Sequence, residues 1–486
     1  MPAWVQHAIW WQLHPLTFLG AEPAALPTGT PPVRRLPALA GWLGYLIDLG
    51  CNGLALGPVF AAETHGYDTV DHFRVDSRLG TDEDLWSLVD ACHRRGVAVC
   101  LDGVFNHVGR GFGPFQDVLA HGRQSRYADW FRIDWTAPGP DGFRYADFEG
   151  HQHLVALNHD CPEVADYVAG VLRHWLGRPA TPATATATAA TSAAGGTGAG
   201  GTGAGVEPAD RKGVDGWRLD AAYAVPPGFW RAVLEPVRRD HPTAWFVGEL
   251  IHGDYAATVR DGDLDSATQY ELWKAIWSAL NDRNLFELSW ALRRHDELRH
   301  AFDPQTFVGN HDTTRIASRL VDERHLEHAL TILFTVPGVP SVYAGDEQAF
   351  RGVKEDRAGG DDAIRPPFPA TPPDLAPYGW PVYRQHQRLI GLRRRHPWLR
   401  NAEVTVEHLT NETMTYWCSA GDQALLVALN LADTPTTVPF PAGTGRVEAG
   451  TATIGDGTVE LPPHGTAVLT AAGARPLPLS GTSSRS

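Results

Sequence analysis

Short apolar runs alternate with longer amphipathic stretches along most of the chain, up to about residue 395. The runs Ala8–Leu13, Asn52–Leu56, Val97–Leu101, Val214–Leu219, Ala244–Gly248, Ala267–Tyr270, Thr306–Gly309 and Pro340–Tyr343 read as strands. Between them lie helical patterns such as Asp82–Arg95, Pro162–Leu176, Phe229–Arg239 and Tyr383–Arg395. Alternating strands and helices point to parallel βα units, and eight of them predict a closed (β/α)₈ (TIM) barrel. An open doubly wound sheet fits the same periodicity and stays open at this point.

Three stretches break the rhythm. Residues 108–160 form an aromatic- and Gly-rich insertion after the third strand, a position that places it on the active face of a barrel. Residues 179–212 are rich in Ala, Thr and Gly with little to bury, so disorder on the non-catalytic face is expected. This stretch contains a formal GxGxxG match, Gly196–Gly201. No strand precedes it and no helix follows it, so a dinucleotide site is not read from it. Beyond residue 400, Thr413–Cys418, Ala424–Leu431, Thr436–Pro439 and Gly465–Leu469 alternate with Gly/Pro turns, the pattern of an antiparallel β-domain. The expected division is a barrel (1–107 and 161–398), an inserted domain (108–160), a C-terminal β-sandwich (399–472) and a flexible tail (473–486).

Composition narrows the classes of function. With 56 Asp and Glu against 41 Lys and Arg the net charge is −15, which gives no general attraction for nucleic acid or anionic lipid. No apolar run approaches the roughly 18 residues of a membrane span. The five cysteines form no CxxC pair and no zinc spacing, as expected of free thiols in a reducing compartment. With Met1 taken as the start, no signal peptide is read and a cytoplasmic location is expected.

The chemistry gathers at the predicted strand ends. In Val214–Asp220, period-2 alternation puts Gly216, Arg218 and Asp220 on one face and Trp217 and Leu219 on the other. An Arg beside a carboxylate favours its charged form, as a nucleophile needs, although a purely structural ion pair has the same pattern. The next strand ends in Glu249, 29 residues on. Neighbouring strands lie about 4.8 Å apart, so the two carboxyl groups can approach the roughly 5–5.5 Å separation of retaining glycosidases. A third acid, Asp312, follows Phe307–His311, and Leu101–His107 ends the third strand with Asp102, Asn106 and His107.

These segments, Asp102–His107, Gly216–Asp220, Gly248–Glu249 and Asn310–Asp312, resemble in order and spacing the four sequence regions of the α-amylase family of glycoside hydrolases (family 13). His65–Asp68 is similar to the family's segment after strand two, and Leu157-Asn158 to the end of its fifth region. The resemblance implies Asp220 as nucleophile, Glu249 as general acid/base and Asp312 as transition-state stabiliser, with Arg218 holding Asp220 ionised and both aspartates keeping Glu249 protonated. It also implies substrate contacts for His107 and His311, stacking by Tyr67 and support from Asp102. Gly248–His252 and His311–Arg315 look closer to neopullulanases and cyclomaltodextrinases, and Arg315 is placed with the substrate-binding residues. Arg365 is assigned to the pocket and to a structural role with equal weight. Where typical α-amylases follow the nucleophile with Ala-Ala-Lys-His, this chain has Ala221-Ala222-Tyr223-Ala224. The missing His weakens the case for the family's calcium, although Asn106 is in place, so no metal and no required cofactor are assigned. Ala221 resembles α-1,4-acting members. The expected activity is hydrolysis of α-1,4 bonds in maltooligosaccharides or related small α-glucosides, by way of a glycosyl-enzyme. A transglycosylase or isomerase on the same scaffold (of glucanotransferase or trehalose synthase type), and more remotely a non-catalytic binding protein, stay open, as does the oligomeric state.

Overall fold

The computed structural model describes residues 1–178, 212–357, 359–441 and 445–471. The Ala/Thr/Gly-rich stretch expected at 179–212 (but for its last residue) and the tail expected from 473 lie outside the described residues.

Eight parallel strands form the central sheet: β1 (Trp10–Leu13), β2 (Gly53–Leu56), β3 (Ala98–Gly103), β4 (Gly216–Leu219), β5 (Trp245–Gly248), β6 (Ser266–Ala267), β7 (Gln305–Thr306) and β8 (Val339–Tyr343). Their order is β6-β5-β4-β3-β2-β1-β8-β7. A parallel bridge between Thr268 and Gln305 joins the two ends of this sheet, so it closes into a barrel and the open alternative falls. Every strand read from the sequence is present, but β6 and β7 are only two residues long. Beyond β6 the side chain of Gln269 caps the helix Tyr270–Asn281 by accepting from the Leu272 amide at 3.4 Å, which turns the expected strand end into a helix start. Asp312 sits in a loop six residues past β7 rather than at a strand end.

Alternation along the strands separates two cores. Trp10, Cys100, Trp245, Val247 and Val339 cluster together inside the barrel. Trp11, Leu54, Leu56, Val99, Leu101, Trp217, Leu219 and Phe246 face outward and join the large core beneath the helices. The indoles of Trp10 and Trp245 stack 5.2 Å apart at 12° and plug the barrel. Gly53 makes room for this plug, since a Cβ there would lie 2.4 Å from the Trp10 ring. Such a filled interior leaves chemistry to the rim at the strands' C-terminal ends.

The insertion after β3 carries the helix Gly113–His121 and a small sheet made of His107–Gly109, His151–Ala156 and Asp147–Phe148. At the C-terminus a five-stranded antiparallel sheet packs on a three-stranded one. In the strand Thr413–Ala420, Trp417 faces the second sheet while Met414, Tyr416 and Cys418 face the barrel. Tyr416 Oη lies 2.8 Å from Thr335 Oγ1, a polar contact inside that apolar seam.

Candidate active site

Register explains why three of the acids meet. Arg218 of β4 pairs with Asp102 of β3 and Val247 of β5, so the inward face of three adjacent strands carries Asp102, Arg218 and, one pleat further on, Asp220 and Glu249. The chain turns sharply after Asp220. Ala221 takes up a left-handed backbone (φ 47°), and its amide donates to Glu249 Oε2 at 2.9 Å. A strained non-glycine residue here ties the two strand ends together.

Arg218 is the hub. Its Nη1 donates to both oxygens of Asp102 at 2.7 Å and to Asp220 Oδ1 at 3.0 Å. Its Nη2 lies 2.7 Å from Glu249 Oε1 and 3.8 Å from Asp312 Oδ2. One buried guanidinium therefore serves four carboxyl groups, and Glu249 also accepts from Tyr270 Oη at 3.2 Å, itself held by Asn310 Nδ2 at 2.8 Å.

Asp312 is held from the other side. Arg365 Nη2 donates to its Oδ1 at 2.8 Å, Arg365 Nε donates to the His311 carbonyl at 2.8 Å, and His311 Nε2 lies 2.9 Å from Asp312 Oδ2. Gln12 Nε2 lies 3.2 Å from His311 Nδ1 and donates to it, which leaves the Nε2 proton facing the site. Tyr67 donates to Asp102 Oδ2 at 3.1 Å, meets His311 Nε2 through its hydroxyl, and stacks on the imidazole with centroids 5.5 Å apart at 2°. His107 is buried and stacks on Phe148 of the insertion, 4.5 Å apart at 13°.

The charge pattern differs in one respect from that read in the sequence. Burial works to raise the Asp312 carboxyl, but His311, Arg365 and Arg218 together hold it well below the usual carboxylate range. Asp220 goes the other way: burial first and the neighbouring Glu249 second push it well above its ordinary value, with Arg218 opposing. Arg218 is expected to hold Asp220 ionised; here its guanidinium is shared among four acids and only opposes that rise. Burial pushes His107 down to about 3, so it is a neutral imidazole.

Of the expected site residues, Asp102, Arg218, Asp220, Glu249, Asp312, Tyr67 and His311 converge on this rim, and His107 lines it from the insertion side. Arg315 does not join them. It is buried, bonded to the Ala344 carbonyl at 2.8 Å, Asp346 Oδ1 at 2.9 Å and the Ile364 carbonyl at 3.0 Å, with its guanidinium 4.1 Å from the Tyr343 ring. Its placement with the substrate-binding residues is corrected accordingly: it clamps the loop after β8. Arg365, at the end of that loop, is the arginine that reaches the acids. Sequence reading also missed Tyr270, Asn310, Gln12 and Phe148 as site residues. Gln12 carried a usable signal, a polar inward position on an otherwise apolar strand.

The two arginines give separable expectations. Arg365→Gln leaves Asp312 with a single cation nearby and is expected to lower kcat/KM about 10²-fold, the scale of a misplaced catalytic group, with little change in melting temperature. Arg315→Gln is expected to lower the melting temperature first. Steady-state kinetics and thermal melts of both variants check this, and the opposite ranking would refute the assignment.

Two carboxyl groups sharing one guanidinium at the C-terminal rim of a (β/α)₈ barrel, with a third held opposite them, define a glycosidase site of the two-carboxylate class. The chain belongs to the α-amylase family of glycoside hydrolases: the family model for the alpha amylase catalytic domain matches residues 36–180 and 209–408. It is 29% identical over 466 residues to a cyclomaltodextrinase of Geobacillus thermopakistaniensis, covering 90% of this chain and 71% of that protein. It is 30% identical over 370 residues to an intracellular maltogenic amylase of Bacillus subtilis, covering 72% of this chain and 57% of the relative. Among solved structures, a cyclomaltodextrinase superposes with a TM-score of 0.77 at 28% identity, covering 97% of this chain and 79% of the other. A cyclic α-maltosyl-(1→6)-maltose hydrolase from Arthrobacter globiformis superposes with a TM-score of 0.74 at 26% identity, covering 97% and 100%.

Two residues bear on the family's common calcium site. Asn106 turns its amide toward His107 Nδ1 at 3.2 Å, and position 224, where typical members supply a His, is an Ala.

Proposed function

We propose that the protein hydrolyses α-1,4-glucosidic bonds of short linear or cyclic maltooligosaccharides with retention, Asp220 acting as nucleophile, Glu249 as acid/base and Asp312 as stabiliser of the oxocarbenium-like transition state. One observation carries this reading: Asp220 Oδ1 and Glu249 Oε1 meet the same guanidinium at 3.0 and 2.7 Å, so two carboxyl groups flank one point on the barrel rim, as the two-carboxylate mechanism needs. The names of the relatives support the substrate class. Tyr67 offers the flat face for a sugar ring, and His311 and Arg365 offer donors to its hydroxyls beside Asp312. Chromatography of products from maltotriose, a cyclomaltodextrin, pullulan and trehalose tests it. Maltose and glucose with a gain of reducing ends are expected. Longer oligomers or trehalose without that gain would establish the transferase or isomerase reading instead.

The charge distribution suggests how the step is gated. In the free enzyme Glu249 is drawn onto Arg218 and burial raises Asp220. A glycosidic oxygen arriving at Glu249 takes it off the guanidinium, Arg218 is left to Asp220 and Asp102, and the proton settles on Glu249. Asp220 then attacks the anomeric carbon as Glu249 protonates the leaving oxygen, and in the second half-reaction Glu249 deprotonates the incoming water.

A pH dependence follows. In the free enzyme the proton that Glu249 delivers is carried by Asp220, whose value is raised, so kcat/KM, which reports free-enzyme ionisations, falls as alkali removes that proton, at a pH above the ordinary aspartate value of about 3.9. A kcat/KM profile without an alkaline limb would contradict this. No metal takes part in the proposed chemistry, so dialysis against EDTA is expected to leave kcat unchanged. The relatives named intracellular also favour a cytoplasmic enzyme, and among the described residues no helix is long and apolar enough to cross a membrane.

A further inference from the structure

Away from the barrel rim, three side chains from separate parts of the chain converge where the barrel meets the C-terminal sheets. Asp322 caps, and His325 ends, the single turn Glu323–His325 that leads into the helix Leu326–Thr335. His464 lies in the connection between the strands Thr458–Leu461 and Thr466–Ala471. One ligand atom from each of the three lies within 4.8 Å of the others. His325 Nε2 and His464 Nδ1 face each other at 3.1 Å, and Asp322 Oδ2 is 3.9 Å from the same Nδ1.

Asp433 fixes the tautomer. Its Oδ1 accepts from His464 Nε2 at 2.7 Å, so in the neutral ring Nε2 carries the proton and Nδ1 points a lone pair at His325. A carboxylate on the far nitrogen is the arrangement that orients metal-bound imidazoles. His464 holds this pose from a left-handed backbone (φ 51°), an uncommon conformation for a residue with a side chain. His325 is 1% exposed, and among the described residues its Nδ1 has no hydrogen-bond partner. A surface depression lined by Arg283, Val321, Asp322 and Arg324 opens toward it.

The donor set selects the kind of ion. Arg324 already bonds Asp322, with contacts at 2.9 and 2.6 Å, and Arg283 pairs with Asp433 at 3.2 Å and Glu412 at 3.0 Å, so the local acids are largely neutralised. A hard cation that needs six or more oxygens is poorly served. Two imidazoles and one carboxylate oxygen suit a borderline dication. Around a tetrahedral ion with ligands at about 2.0–2.2 Å, ligand atoms lie roughly 3.3–3.6 Å apart, between the 3.1 and 3.9 Å found here.

We propose that Asp322, His325 and His464 bind a zinc-type transition-metal dication, with water as fourth ligand, and that the ion fastens the C-terminal β-domain to the barrel. The full-length protein, stripped with EDTA, is titrated with Zn²⁺ alone by calorimetry, with thermal melts in parallel. One equivalent binding at micromolar zinc, with a rise in melting temperature, is expected. His464→Asn, which tolerates the left-handed backbone, and Asp322→Asn, which retains the cap, each abolish both effects while leaving hydrolysis unchanged. Asp433→Asn weakens binding about 10–100-fold. Failure of the parent to bind, or binding and a thermal shift that survive in His464→Asn and Asp322→Asn, overturns the site.

Discussion

Asp220→Asn is expected to lower kcat by on the order of 10⁴-fold or more while leaving the melting temperature equal to or above that of the parent. The first effect follows from the proposed role: an amide cannot form the acylal-type glycosyl ester assigned to Asp220. The second follows from electrostatics. Asp220 is buried beside Glu249, and both burial and that neighbour disfavour its charge. Asparagine removes this repulsion while its carbonyl oxygen still accepts from Arg218 Nη1. Loss of activity with loss of fold would instead mean that Asp220 is a structural member of the ion network. Kinetics and thermal melts on the same preparation separate the outcomes.

Arg218→Met should be the most destabilising single change at the site. It leaves Asp102, Asp220 and Glu249 buried without the cation that touches all three. Removing one partner of a buried ion pair costs about 3–5 kcal/mol, and the buried charges left behind place this case at the upper end. The sign of its pH dependence is fixed. Without Arg218, which opposes the rise at Asp220, the folded-state value of that carboxyl climbs further above its unfolded one, so the deficit is full at neutral pH and shrinks as acid protonates it. Denaturant unfolding at neutral and mildly acidic pH measures this. Arg218→Lys keeps the charge but cannot span Asp102 and Glu249 with one nitrogen, so an intermediate loss is expected. A deficit that grows with acidification would mean that Arg218 contributes packing rather than charge.

How much of this could be read from the chain depends on what each residue obeys. Period-2 alternation is local, so Trp217 and Leu219 outward with Arg218 and Asp220 inward needed only the strand. The neighbouring placement of Asp220 and Glu249 followed from one βα repeat between them. Strand β6 was overestimated because the Gln269 cap competes with strand extension over the same residues, and periodicity alone does not rank the two. Arg315 and Arg365 were not separable: one lies three residues from Asp312 and turns away into the loop after β8, while the other lies 53 residues on and returns to it. The number of acids sharing a single guanidinium is a property of the closed barrel. For that reason the raised Asp220 carboxyl was out of reach of any reading of one strand at a time.

The glycosyl-enzyme itself offers the most direct test. The protein is incubated with a fluorinated α-glucosyl fluoride, which forms the intermediate faster than it is released, then digested and sequenced by mass spectrometry. The account predicts one sugar per chain, on Asp220 in the segment Gly216–Asp220, and α-configured first products from an unmodified substrate by NMR. A label on Glu249 or Asp312, or no label together with β-configured first products, would contradict it.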